Sequence, residues 1–354
     1  MNDYRVFISY SHEDSDLVEL IVSILNEIGL RPLWDRNFAY GRGFPEQIRK
    51  CIAHAHVFLP LITESSSKRG WVHQEIGYAM ALNVPVLPVA RGTLPGEMLQ
   101  ELHAMILSDD PEEIRTQLTR DIFESLVNSF QEKEFALYEC AELPEERTVL
   151  IAQYARSILE MGEHGLVRQK GAFGSFSIPH RVLSDPVWTI RYHPYEAGLY
   201  YKKLLRLERL MLEKHARVAG CKLIVNPRVP TKYSPRARSA RLQTLLEFLH
   251  SMPDSKAQIA INDRMYEEEN VTLVGDWFAA ESVSMSGSRQ TIFTRHAPSM
   301  KSRIEYFDQE FDELLEERGW QHHNSRIAAI NEIEAIVAEL ETEAKTISGS
   351  EILR

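Results

Sequence analysis

At 354 residues, 44% apolar and 26% charged, the chain has the composition of a globular protein long enough for two or three domains, each burying its own core. No run of eighteen apolar residues is present, against a membrane-spanning helix, and three scattered cysteines (Cys51, Cys140, Cys221) argue against a disulfide scaffold or cysteine zinc site and for a reducing cytoplasm. The net charge of −11 hides an asymmetry: Lys202 to Arg241 holds twelve Lys or Arg against two Glu, a local +10 that leaves −21 for the rest.

The chain begins in a strand pattern, without the cationic region and apolar core of a signal peptide. "YRVFISY" (4–10) is a β-rich run. The polar "SHEDSD" leads into a helix whose Leu17, Leu20, Ile21, Ile24, Leu25 and Ile28 follow the 3.6 period, with N-cap candidates at Asp14 to Asp16. "RPLWD" (31–35) reads as a second strand, "RNFAYGRGFPEQ" (36–47) as a loop and 46–55 as a short helix. "HVFLPLIT" (56–63) is a third strand, "GWVHQEIGYA" a third helix and "VPVLPVA" (84–90) a fourth strand. Strands separated by single helices indicate a parallel sheet covered on both faces, with ligands outside the strands' carboxyl ends. The loops after Tyr10, Asp35 and Thr63 lie at that edge, as does the start of the helix carrying Trp71 and Glu75.

Residues 110–135 read as a closing helix and 136–147 as a linker, so the expected domains are 1–135, 148–324 and a C-terminal helix and tail over 325–354. In the second part a helix over 145–165 precedes strand candidates up to 188–193, a long basic helix (196–219) and the strand 221–226. Helix 237–250, strands 256–262, 270–283 and 289–296, and helix 300–318 complete an α/β domain. This order, with "GDWFA" heading an exposed strand pair, looks like half of a phospholipase D-type fold. The HxKxxxxD signature of that family is absent, which implies a non-catalytic sensor. The tail places Ile330, Ile333, Val337, Leu340, Ala344 and Ile347 in 3,4 alternation over too few heptads for a coiled coil, favouring packing on its own domain.

"FISYSHED", "WDRNFAYGRGFPEQI", "HVFLPLIT" followed by serines, and "WVHQEIGYA" stand in the order and spacing of a TIR (Toll/interleukin-1 receptor) domain, and the resemblance covers roughly residues 1–130. It implies a flavodoxin-like five-stranded parallel sheet. TIR enzymes use a Glu on the third helix, four residues after a Trp, to cleave NAD⁺ at the nicotinamide–ribose bond, and Glu75 with Trp71 matches that pair. The implied activity is an NAD⁺ nucleosidase giving ADP-ribose or a cyclic form, with NAD⁺ as substrate and no cofactor or metal. The implied setting is bacterial antiviral defence, with TIR–TIR self-association on activation by an unidentified trigger: a nucleic acid, a nucleotide messenger or a protein partner. The alternative is a non-catalytic TIR signalling scaffold.

The chemistry supports a carboxylate independently. Loss of nicotinamide leaves an oxocarbenium-like ribosyl cation, which a fixed anion stabilises. Trp71 offers a flat surface for the nucleotide, Tyr10, Ser11 and His12 line the same edge with Asp35, and Gly41, Arg42 and Gly43 allow close approach to phosphates. The plainer readings are a solvated Glu75, a core Trp71, an idle His12 and an exposed His73. His322 and His323 adjoin no Cys or carboxylate at ligand spacing. In the basic stretch, Arg228, Lys232, Arg236, Arg238 and Arg241 surround one turn and helix start, as a phosphate or polyanion reader would. Docking on the protein's own acidic surface is the competing reading.

Overall fold

A computed structural model describes residues 4–34, 44–67, 70–82, 84–92, 104–129, 138–178, 195–229, 233–267, 269–285 and 288–352. The chain divides into two compact units. One comprises Met1–Glu139, Glu160–Glu163 and Arg295–Lys301; the other comprises Cys140–Leu159, His164–Thr294 and Ser302–Arg354.

In the first unit the described residues form a five-stranded parallel sheet in the order β2-β1-β3-β4-β5, from β1 (Arg5–Ser9), β2 (Arg31–Leu33), β3 (Val57–Ile62), β4 (Val89–Ala90) and β5 (Met105–Ile106). This is the flavodoxin-like order, as expected. The helices are α1 (Ser15–Glu27), α2 (Phe44–His54), α3 (Glu64–Ser67), α4 (Gly70–Ala81), α5 (Pro111–Gln117) and α6 (Arg120–Ser129). The closing helix is thus two helices separated near Leu118, and a short fifth strand precedes them. Residues 130–137 lie outside the description.

Every residue of β1 is buried, because both sheet faces are covered. Val6 and Ile8 join Val57, Leu59 and Leu61 in the core against Val18, Ile21 and Leu25 of α1 and Phe123 and Val127 of α6. With a strand period of two, Arg5, Phe7 and Ser9 occupy the opposite face. There Phe7 stacks on Phe58, ring centroids 5.8 Å apart. Arg5, fully buried, donates from Nε to the His54 carbonyl at 2.7 Å, and its amide donates to His56 Nδ1 at 2.9 Å. Burial drives the His54 and His56 imidazoles well below their ordinary value.

The second unit holds a seven-stranded mixed sheet among its described residues, in the order β6-β12-β11-β10-β7-β8-β9. Its strands are β6 (Tyr138–Ala141), β7 (Val167–Gly171), β8 (Cys221–Val225), β9 (Ala257–Ile261), β10 (Asn270–Val274), β11 (Phe278–Met285) and β12 (Ser288–Thr294). β7, β8 and β9 are mutually parallel, whereas β10, β11 and β12 run as antiparallel neighbours beside β7. The helices lying wholly or mostly in this unit are α7 (Pro144–Glu160), α8 (Tyr195–Ala219), α9 (Pro235–Ser251), α10 (Ala297–Glu317) and α11 (Ser325–Ile352).

Three expectations change. Residues 138–141, inside the expected linker, form the edge strand β6. The run 270–283 is two strands joined at Gly275, whose φ of +55° favours glycine, and a Cβ at neighbouring Gly165 would stand 2.6 Å from the Gly275 nitrogen. "GDWFA" is not exposed, since Trp277, Phe278 and Ala279 are fully buried. Residues 188–193, expected as a strand, lie outside the description.

The tail helix α11 packs on α9 and β9. Ile330, Ile333, Ile336, Val337 and Leu340 are buried, while Ile347 is exposed. The 3,4 alternation therefore serves the unit's own core.

Candidate active site

The carboxyl edge of the first sheet gathers the chemistry. Helix α4 buries Val72, Ile76 and Ala79, an i, i+4, i+7 stripe facing the sheet. Glu75 occupies the i+3 position of that stripe and is only 9% exposed, where an apolar residue would ordinarily sit. Ser9, the last residue of β1 and on the face shared with Phe7, donates from Oγ to Glu75 Oε2 at 2.5 Å. Burial pushes the Glu75 carboxyl up to about 7, against the lowering effect of the Ser9 hydrogen bond. A group titrating near neutrality at a sheet's ligand-binding edge is a functional-site candidate rather than a structural one.

The following segment continues the edge. Tyr10 is half-buried beside Trp34 (centroids 6.4 Å) and meets His12 edge-on at 6.0 Å. Ser11 is fully buried, and its Oγ has no hydrogen-bond partner. His12 is exposed at the start of a short 3-10 turn, His12–Asp14. Asp14, an N-cap candidate, makes no cap bond with its side chain. Its Oδ2 instead accepts from Thr63 Oγ1 at 2.8 Å, and the Thr63 amide donates to Ser66 Oγ at 2.8 Å. The loops after β1 and β3 are thereby tied together.

Of the residues expected at this site, the description brings Tyr10, Ser11, His12 and Glu75 to one edge. Trp71 lies in the first turn of α4, its side chain outside the described set, as is that of His73. Asp35, Gly41, Arg42 and Gly43 fall outside the described residues. Sequence reasoning missed Ser9, Trp34 and the Asp14–Thr63–Ser66 set. For Ser9 a signal existed: a serine closing an otherwise apolar strand, on the face opposite Val6 and Ile8.

The basic segment is divided by the fold. Arg228 forms a two-pronged ion pair with Glu339 of α11, at 2.7 and 3.2 Å. Arg236 is exposed in the first turn of α9. Arg238 donates from Nη2 to the Pro227 carbonyl at 3.4 Å, and Arg241 donates to Ser177 Oγ at 3.4 Å. Lys232 lies outside the described residues. Arg217 and Arg209 pair with Glu213 on α8 itself. Part of the local charge is therefore neutralised internally. Among the described residues, no group of three or more His, Cys, Asp or Glu is arranged to hold a metal ion, and no helix is long and apolar enough to cross a membrane.

Residues 6–119 match the family described as TIR domain. The match spans the five-stranded sheet and the Ser9–Glu75 edge. A search of curated proteins finds no match to the chain.

Proposed function

We propose that the TIR domain at residues 6–119 is an NAD⁺ nucleosidase that releases nicotinamide, with Glu75 as its catalytic carboxylate. The observation that carries the reading is Glu75 itself: a carboxyl in an apolar helix stripe, hydrogen-bonded by Ser9 and raised to about 7 by burial. A carboxylate is rarely retained at such a position without a partner or a task.

The chemistry follows from charge. In NAD⁺ the positive charge sits on the pyridinium ring. As the C1′–N bond breaks, the electron pair goes to nitrogen, nicotinamide leaves neutral, and the charge passes to the ribose. An anion held beside C1′ in a water-poor setting stabilises that transition state more than the ground state. The leaving group needs no proton, so Glu75 acts in its ionised form. Water then adds to C1′ and gives up a proton, yielding ADP-ribose. Ser11, with a buried hydroxyl that has no partner, and Tyr10 and Trp34 supply polar and flat surfaces for the nucleoside.

The second unit serves in this reading as the sensing part, and cyclic product, antiviral role and self-association on activation belong to the same proposal. The test is nicotinamide release by the full chain. Glu75→Ala is expected to lower it by about 10²-fold or more with the fold intact. A TIR scaffold would show no release by either protein under activating conditions and at high concentration, and that result would end the enzymatic reading.

A further inference from the structure

The parallel strands β7, β8 and β9 have their own carboxyl edge, and among the described residues two arginines there are answered unequally. Arg147 of α7 is 9% exposed. It pairs with Glu208 of α8 at 3.5 Å and donates from Nη2 to Asn270 Oδ1 at 2.7 Å and to Thr272 Oγ1 at 3.0 Å. Glu208, 1% exposed, also accepts from Ser175 Oγ at 2.5 Å. One buried carboxylate thus answers one buried guanidinium and, through Ser175, holds the segment 172–178 that follows β7.

Arg241 of α9 stands on the other side of that segment without such an answer. Its guanidinium lies 4.5 Å from the Phe173 ring centroid and 5.6 Å from that of Tyr233, and Ser177 Oγ is 3.4 Å away. Its Nε is buried with no hydrogen-bond partner, as is that of Arg238 one helical turn earlier. Among the described residues no carboxylate forms an ion pair with Arg241, and Glu267 acts on it only through space. Tyr201 supplies no counter-charge either, because burial pushes its phenol to about 12. Arg241 is half-buried, and the Tyr233 and Ser177 hydroxyls are its side-chain hydrogen-bond partners. Arg147 Nε is likewise unpartnered, so what separates Arg241 is the lack of a carboxylate partner among the described residues. A guanidinium against aromatic faces is costly unless an anion completes it. The planar fork of Arg matches a phosphate. At the start of α9, Pro235 carries no N–H, the Ala237 amide donates to Ser234 Oγ at 3.2 Å and the Arg238 amide to the Ser234 carbonyl at 3.0 Å. This end of the 17-residue helix therefore contributes its positive dipole rather than free amides.

We propose that Arg241 and Ser177, at the positive end of α9, bind the phosphate of a small phosphorylated ligand, with the segment that carries Ser177 positioned by the Arg147–Glu208–Ser175 set. A polynucleotide fits less well. It requires an exposed basic stripe, whereas Arg241 is withdrawn between aromatic rings and Arg228 is already committed to Glu339. The inference deepens the sensing role given to the second unit, but ligand binding is measured without reference to NAD⁺ cleavage, so either can fail alone.

The experiment uses the full chain, with calorimetric and thermal-shift titrations of inorganic phosphate, AMP and a short single-stranded oligodeoxynucleotide. Phosphate and AMP are expected to bind and to raise Tm. Arg241→Gln should weaken AMP roughly tenfold or more, since it removes hydrogen bonds to a charged group, while keeping or raising the ligand-free Tm because a half-buried charge without a carboxylate partner among the described residues is gone. Arg241→Lys, which keeps the charge but not the fork, should also bind AMP more weakly, and Arg228→Gln should bind as wild type. Absence of phosphate and AMP binding overturns the proposal. So does a lowered ligand-free Tm in Arg241→Gln with AMP binding unchanged, or oligonucleotide binding tighter than AMP and equally sensitive to Arg228→Gln.

Discussion

Ser9 Oγ stands 2.5 Å from Glu75 Oε2, joining the carboxyl end of the first strand to the middle of the fourth helix across sixty-six positions. The bond is between a hydroxyl that can only favour the carboxylate as donor and a carboxyl whose burial disfavours charge. Their opposition leaves Glu75 titrating near neutrality.

The first prediction concerns the pH profile. If Glu75 acts ionised, kcat/KM for nicotinamide release rises with pH through an apparent value near 7, the folded carboxyl's value. The kcat limb lies lower, because the cationic ring of bound NAD⁺ favours the carboxylate. A profile flat between pH 5.5 and 8.5, on the order of 1.5 units either side of neutrality, would remove Glu75 from the rate equation.

Ser9→Ala removes the hydrogen bond that lowers the Glu75 carboxyl. The kcat/KM limb is expected to move to higher pH, and activity at pH 7 to fall, while Glu75→Ala has no limb to move. Ser9→Thr, which keeps a hydroxyl, should restore the wild-type limb. A merely structural Ser9 would lower Tm in the alanine variant without shifting the profile.

Stability follows the same carboxyl with a definite sign. The folded value, about 7, lies above the unfolded value of about 4.3. Between the two, the folded chain binds more protons, so stability falls as pH rises through that window. Glu75→Gln does not titrate, and at pH 8 it is expected to be more stable than wild type by up to about 3 kcal/mol. The advantage shrinks towards pH 4. Thermal melts across this range are the measurement, and a destabilised Gln variant at pH 8 contradicts the strained-carboxyl reading.

His215 gives the opposite sign in the second unit. Its Nδ1 accepts from the Gly165 amide at 3.1 Å, so Nε2 carries the proton donated to the Ala155 carbonyl at 2.9 Å. Burial lowers its value to about 4. Since the unfolded imidazole titrates near 6.5, stability is present above that pH and is lost as pH falls towards 4, by up to about 3 kcal/mol. His215→Ala leaves two buried backbone groups unmatched and should cost about 2–4 kcal/mol in urea melts at pH 7.5, with the acid dependence diminished.

For the tail helix, Ile333→Ala is expected to cost about 2–5 kcal/mol, because Ile333 is fully buried. Ile347→Lys, at an exposed position, should leave both melting and oligomeric state unchanged. A loss of self-association in Ile347→Lys would instead point to an intermolecular helix.

The strand–helix alternation of residues 4–90, the 3.6-period face of α1 and the buried apolar runs determined the parallel sheet, because a covered sheet demands such runs wherever it is placed. The same periodicity put Glu75 in a helix and in reach of the carboxyl edge, and the TIR pattern gave it a chemistry to consider. The local signals were weaker where a residue's meaning depends on distant partners. The run 270–283 read as one strand because nothing in its propensities shows that Gly165 presses on Gly275. Residues 138–141 read as linker because an edge strand needs only a neighbour, here β12. Asp14 looked like a cap until Thr63 was beside it. Twelve basic residues between Lys202 and Arg241 looked like one patch, but ion pairing separates Arg228 from Arg241. Local pattern is carried by each segment alone, whereas ionisation and charge balance are set by which segments desolvate and bond one another. The sequence supplied the carboxylate in the stripe, and the fold supplied Ser9 and the burial that sets when it is charged.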